Sequence, residues 1–147
     1  MFWPENDSRK GFSMAFTNAV IVSADLEAQQ ALANRLDECG LTAISASTVG
    51  EAEAILNLGF VSVIVCSDEL PDGGFRDIVR RTARTPNKVP VVVFSRFANW
   101  ERYLSVLRSG AFDYVLYPPM RGEIERVVRN ALRGAWLESA KQAVPVA

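Results

Sequence analysis

The chain has 147 residues, 49% hydrophobic and 22% charged, with a formal net charge of −1 and no histidine. That length suits one domain with a sound core, and no apolar run approaches the ~20 residues of a membrane span. Without histidine the commonest general base, the commonest transition-metal ligand and any Ser-His-Asp triad are excluded.

In chain order, residues 1–17 lack periodicity and read as an N-terminal tail, in which Phe2, Trp3 and Phe12 could cover an apolar patch. Aromatic residues precede the basic ones and no h-region follows, so no secretory signal is expected. Ala19–Ser23 reads as a short buried strand. Asp25 is placed to cap a helix carrying Ala28, Leu32 and Leu36 on one face and ended by Gly40. Leu41–Ser45 is a second strand, and Thr48 with Glu51 forms a capping box for a helix closed by Gly59.

Val61–Cys66 is a third, apolar strand suited to burial on both faces. It runs into Ser67, Asp68 and Glu69, then a turn of Pro71, Asp72, Gly73 and Gly74. Those polar residues sit at the strand's carboxyl end, where open α/β sheets place their sites. Next, Phe75, Ile78, Val79 and Thr82 line one side of a helix, with Arg76, Arg80 and Arg84 pointing away. Val89–Ser95 is a fourth strand, with Pro90 near its start where a missing N–H is tolerated. A helix from about Asn99 to Arg108, stopped by Gly110, precedes a fifth strand, Asp113–Tyr117, halted by Pro118 and Pro119. The last helix carries Ile124, Val127, Val128, Ala131, Leu132 and Ala135 on one face, and the chain is expected to fray from about Ser139.

Five strands alternating with five helices imply an α/β, flavodoxin-like, doubly wound parallel sheet in a three-layer sandwich. The folded domain is placed at residues 18–138, with a C-terminal tail at 139–147 and nothing left for a second domain. Cys39 and Cys66 read as reduced thiols of a cytoplasmic protein. Residues 1–75 carry a net charge of −8 and residues 76–147 a net of +7, which suggests an acidic flank and a basic flank.

At this point the chain resembles a response-regulator receiver domain of the CheY-like type, over roughly residues 18–137. The likeness is carried by VIVSAD at the first strand, SDELP after the third, VVVFS at the fourth, then SGAFDY and YPP. It implies strand order 2-1-3-4-5. It also implies a third-strand aspartate that accepts a phosphoryl group, an acidic pair after the first strand that helps hold Mg²⁺, and a lysine before the last proline. A hydroxyl ending the fourth strand and an aromatic on the fifth would report modification.

Carried over position by position, the reporters are kept and the chemistry is lost. The acceptor position, four before Pro71, is Ser67; the acidic pair falls on Ser23 and Ala24, with Asp25 next; the lysine position is Tyr117. The switch positions are Ser95 and Tyr114. Mg²⁺ needs oxygen ligands with at least one or two carboxylates, so no metal or other cofactor is expected. Serine without a base is a poor nucleophile, and no catalytic residue is assigned. A working site shifted to Asp68 requires one-residue slips at two places, and each slip turns a strand side chain to the opposite face.

The leading expectation is therefore a stand-alone, non-enzymatic pseudo-receiver in two-component-type signalling, acting by contact with signalling proteins and as a homodimer. Its interface would lie on the face of the fourth helix, fifth strand and fifth helix, through Trp100, Arg102, Tyr103, Arg126 and Arg133. A phosphorelay receiver modified at a displaced Asp68 is the first alternative. A small-molecule-binding module with a pocket ringed by Ser23, Ser67, Ser95 and Tyr117 is the second. Membrane association is not expected, and nucleic-acid binding is disfavoured because no reading helix is present.

Overall fold

The computed structural model describes residues 17–85, 88–97 and 99–143. Five strands, β1 (Asn18–Val22), β2 (Thr42–Ala46), β3 (Val63–Ser67), β4 (Val91–Ser95) and β5 (Asp113–Leu116), form one parallel sheet in the order β2-β1-β3-β4-β5. Helices α1 (Leu26–Glu38), α2 (Val49–Leu56), α3 (Phe75–Thr82), α4 (Trp100–Arg108) and α5 (Glu123–Ala143) complete the flavodoxin-like sandwich.

Side-chain alternation along the strands divides the core in two. Ala19, Ile21, Val63, Val65, Val92 and Phe94 pack against α1 and α5. Val20, Val22, Ile64, Cys66, Val91 and Val93 pack against α2, α3 and α4. The central strands are buried on both faces, which is why their sequences are nearly continuous apolar runs. Among the described residues no helix is long and apolar enough to cross a membrane.

The caps fall where side-chain chemistry predicts, with one change. Asp25 accepts from the N–H groups of Glu27 and Ala28, and Thr48 Oγ1 accepts from Glu51 N–H at 3.0 Å. The Glu51 carboxylate, however, accepts from Ser47 N–H at 2.8 Å, one residue before the cap. α3 carries Phe75, Ile78, Val79 and Thr82 inward, as its periodicity requires.

Several boundaries differ from the sequence expectations. β2 starts and ends one residue late, and β3 begins at Val63 and takes in Ser67. β4 begins at Val91, and β5 ends at Leu116. The segment read as a simple turn is a small antiparallel hairpin, Glu69–Leu70 against Gly73–Gly74. Asp72 in its tip accepts from Val49 N–H at 2.8 Å and Gly50 N–H at 3.0 Å, so it caps α2 from outside. The last helix does not fray at Ser139 but continues to Ala143. The expectations for Phe2, Trp3 and Phe12 lie outside the described residues.

Candidate functional site

At the carboxyl ends of β1, β3 and β4 lies a cleft of about 290 Å³, at the switch point of the winding. Ser23, Ala24, Asp25, Ser67, Asp68, Ser95 and Tyr117 all line it, so the positions picked out at four separate places in the chain are brought together. The strand order thus gathers these positions at one cleft.

The hydroxyls are largely occupied by their own loops. Ser23 Oγ accepts from Asp25 N–H at 3.1 Å, and Ser95 Oγ accepts from Phe97 N–H at 3.0 Å. Gln29, on α1, donates to the carbonyls of Ser23 and Ala46 at 3.0 and 3.1 Å, tying the ends of β1 and β2 together. Tyr117 is buried, its ring 5.9 Å from that of Phe94, and its peptide bond to Pro118 is cis.

The charged groups of the cleft are paired with each other. Arg96 Nη2 donates to Asp25 Oδ2 at 2.6 Å and lies 3.6 Å from Glu27 Oε1. Its guanidinium also sits 4.8 Å from the centre of the Tyr117 ring. The Arg96 bond, with the Ala28 N–H behind it, holds the Asp25 carboxyl below the usual carboxylate range, and the same bond raises Arg96. On the far rim Arg102 Nη2 donates to Asp68 Oδ2 at 2.6 Å and approaches Glu69 Oε2 at 3.7 Å. Two arginines of the basic half thus meet four acids of the acidic half across one cleft.

Alternation explains the fate of Asp68. Ser67 shares the strand face of Val63 and Val65, toward α1 and α5, whereas the next residue turns toward α4. There Arg102 receives it, and the Asp68 side chain is only 12% exposed. Cys66, one residue before Ser67, is buried in the opposite core layer, and burial pushes its thiol far up.

A divalent cation does not fit this donor set. Mg²⁺ is bound through carboxylate oxygens. Here Ala24 offers a methyl, Asp25 is committed to Arg96 and two backbone N–H groups, and Asp68 is committed to Arg102. Among the described residues no group of three or more potential ligands is placed to hold a metal.

The expected reporters converge. Tyr114 is buried and its hydroxyl donates to the Phe97 carbonyl at 2.5 Å, the same oxygen to which Ser95 Oγ donates at 3.2 Å. Beyond Tyr114 the ring of Tyr103 lies at 6.3 Å, and Trp100 stacks on Tyr103 at 5.5 Å with an interplanar angle of 18°. Trp100 is 70% exposed and Phe97 74% exposed, and Leu116 at the edge strand is also open. Arg126 and Arg133 are exposed on α5, but Arg102 reaches back over the cleft rim to Asp68.

Sequence reasoning missed Arg96. Its signal was present, a cation directly after the fourth-strand hydroxyl, but its partner Asp25 lies 71 residues away and only the sheet order joins them.

No family model matches the chain. Among curated proteins it is similar to the response regulator protein PilR of Pseudomonas aeruginosa, 27% identical over 120 residues that cover 82% of this chain and 27% of the relative. It is also similar to the virulence transcriptional regulatory protein PhoP of Salmonella typhimurium, 30% identical over 84 residues, 57% of this chain and 38% of the relative. The chain thus spans well under half the length of these two relatives. In fold it is similar to a response regulator receiver domain protein (CheY-like) from Methanospirillum hungatei, with TM-score 0.74 and 19% identity, covering 84% of this chain and 99% of that one.

Proposed function

We propose that this chain, a response regulator receiver domain of the CheY-like type, works in two-component-type signalling without phosphorylation, through contact with other proteins and with a second copy of itself. The observation that carries the reading is the lining of the cleft, which offers hydroxyls at Ser23 and Ser67 and a methyl at Ala24 where the chemistry needs carboxylates. The one acid left beside the acidic-pair positions is neutralised from within the chain. Phosphoryl transfer depends on a metal and a cation acting on the equatorial oxygens of the transferred group. Ser23, Ala24 and Ser67 carry no carboxylate, and the acids that do line the cleft, Asp25, Asp68 and Glu69, each lie against an arginine. On this reading the domain is not an enzyme and holds no Mg²⁺.

Intact-mass measurement after incubation with a small phosphodonor and Mg²⁺ tests it. The expected result is no added mass. A stable gain of one phosphoryl group, abolished by Asp68→Ala, overturns it in favour of a relay receiver with a displaced acceptor. The cleft itself favours a second reading, a small-molecule module with a ligand among Ser23, Ser67, Ser95 and Tyr117. A clear thermal shift with a nucleotide or flavin would select that reading.

A further inference from the structure

We propose that Arg96 is a built-in latch: its ion pair with Asp25 and its stack on Tyr117 hold the Ser95–Phe97 turn, and through it the exposed side chains of Phe97 and Trp100, in one arrangement. The inference rests on the reading above, that the cleft takes neither metal nor phosphoryl group.

Arg96 stitches three strand ends together. It is carried by the residue after β4, reaches Asp25 after β1 at 2.6 Å, and lies over Tyr117 after β5 at 4.8 Å. Its main chain sits inside the turn that the Ser95 hydroxyl closes on Phe97, with the N–H at 3.0 Å and the carbonyl at 3.2 Å. Any shift of residue 96 is therefore a shift of Phe97, whose carbonyl also receives the Tyr114 hydroxyl. From Tyr114 the ring contacts run outward through Tyr103 to Trp100. The chain of contacts is unbroken from the cleft to the surface.

The latch is weak by design of its chemistry. Arg96 and Asp25 are both around half exposed, and exposed ion pairs and cation–π contacts each contribute little. A weakly held pair can be biased by anything that competes for either member, and the surface it positions would follow the same equilibrium.

The test uses the full ¹⁵N-labelled chain without any phosphodonor, as wild type, Arg96→Gln, Asp25→Asn and the double variant. Asparagine keeps the helix cap, so Asp25→Asn removes the charge and little else. We expect both single variants to move the amide signals of Phe97, Trp100 and Tyr103 together. Amide exchange at Phe97 should quicken by roughly fivefold, the scale of one lost exposed pair. The double variant should add nothing further. Wild type in about 1 M NaCl, where the Debye length is about 3 Å, should shift the same signals in the same direction. If only signals near Asp25 and Arg96 move, and Trp100 and Tyr103 keep their wild-type positions, the latch is overturned. The salt experiment needs no variant and keeps that outcome readable if a variant folds poorly. A phosphorylated wild type would sink the functional reading and leave these amide results to stand or fall separately.

Discussion

Ser95 and Tyr114, on neighbouring strands, donate to a single acceptor, the carbonyl oxygen of Phe97, at 3.2 and 2.5 Å. The two positions that would report a modification are thus already joined through one backbone group. Tyr114→Phe removes the shorter of the two bonds and leaves the ring in its buried site. A loss of about 1 kcal/mol in urea unfolding is expected, with the Trp100 signals altered. An unchanged midpoint and unchanged Trp100 signals would show that the bond holds nothing.

Trp100 stacks on Tyr103 yet is 70% exposed. Large exposed aromatics of this kind are typical interface anchors. Trp100→Ala should change folding stability by no more than about 0.5 kcal/mol. If the α4–β5–α5 face joins two copies, light scattering should give twice the chain mass for wild type, and a lower mass for Trp100→Ala and for charge reversal at Arg126 or Arg133. Equal masses for all of them would remove this face from the account.

Asp25 makes a pH prediction through Arg96. Its folded carboxyl titrates below the usual range because Arg96 donates to it. A carboxyl depressed on folding contributes stability that is fully present above its unfolded value, about 3.9, and is lost as pH falls through the folded value. Wild type should therefore exceed Arg96→Gln in stability at neutral pH, and the difference should shrink as the solution is acidified below about pH 4. A difference that grows on acidification would contradict the assignment.

Asp72 titrates low for another reason, the two N–H groups of Val49 and Gly50 that it accepts from. Asp72→Ala should lower the melting temperature at neutral pH and speed amide exchange in the first turn of α2. The effect should shrink as pH falls through the lowered folded value of Asp72, because a protonated carboxyl accepts the two N–H groups less strongly.

Ile78 measures the core independently of the cleft. It is fully buried on α3 against the sheet, so Ile78→Ala should cost about 2–5 kcal/mol. The cleft, whose lining does not include Ile78, should keep its NMR signature in whatever fraction remains folded.

The sequence alone determined the layers and most of the site's membership. Apolar runs such as Val91–Phe94 and the helical spacing of Ile124, Val127, Val128 and Ala131 follow from local periodicity, and periodicity is written in neighbours. Strand order then brings Ser23, Ser67, Ser95 and Tyr117 to one cleft. What only the tertiary structure decided is which charges meet. Asp25 with Arg96, Asp68 with Arg102, and Asp72 with the start of α2 are separated by 71, 34 and 22–23 residues. Nothing local marks such partners, because a charge on a loop is equally at home in water. Only when the sheet sets the loops side by side do these groups come within hydrogen-bond reach of one another.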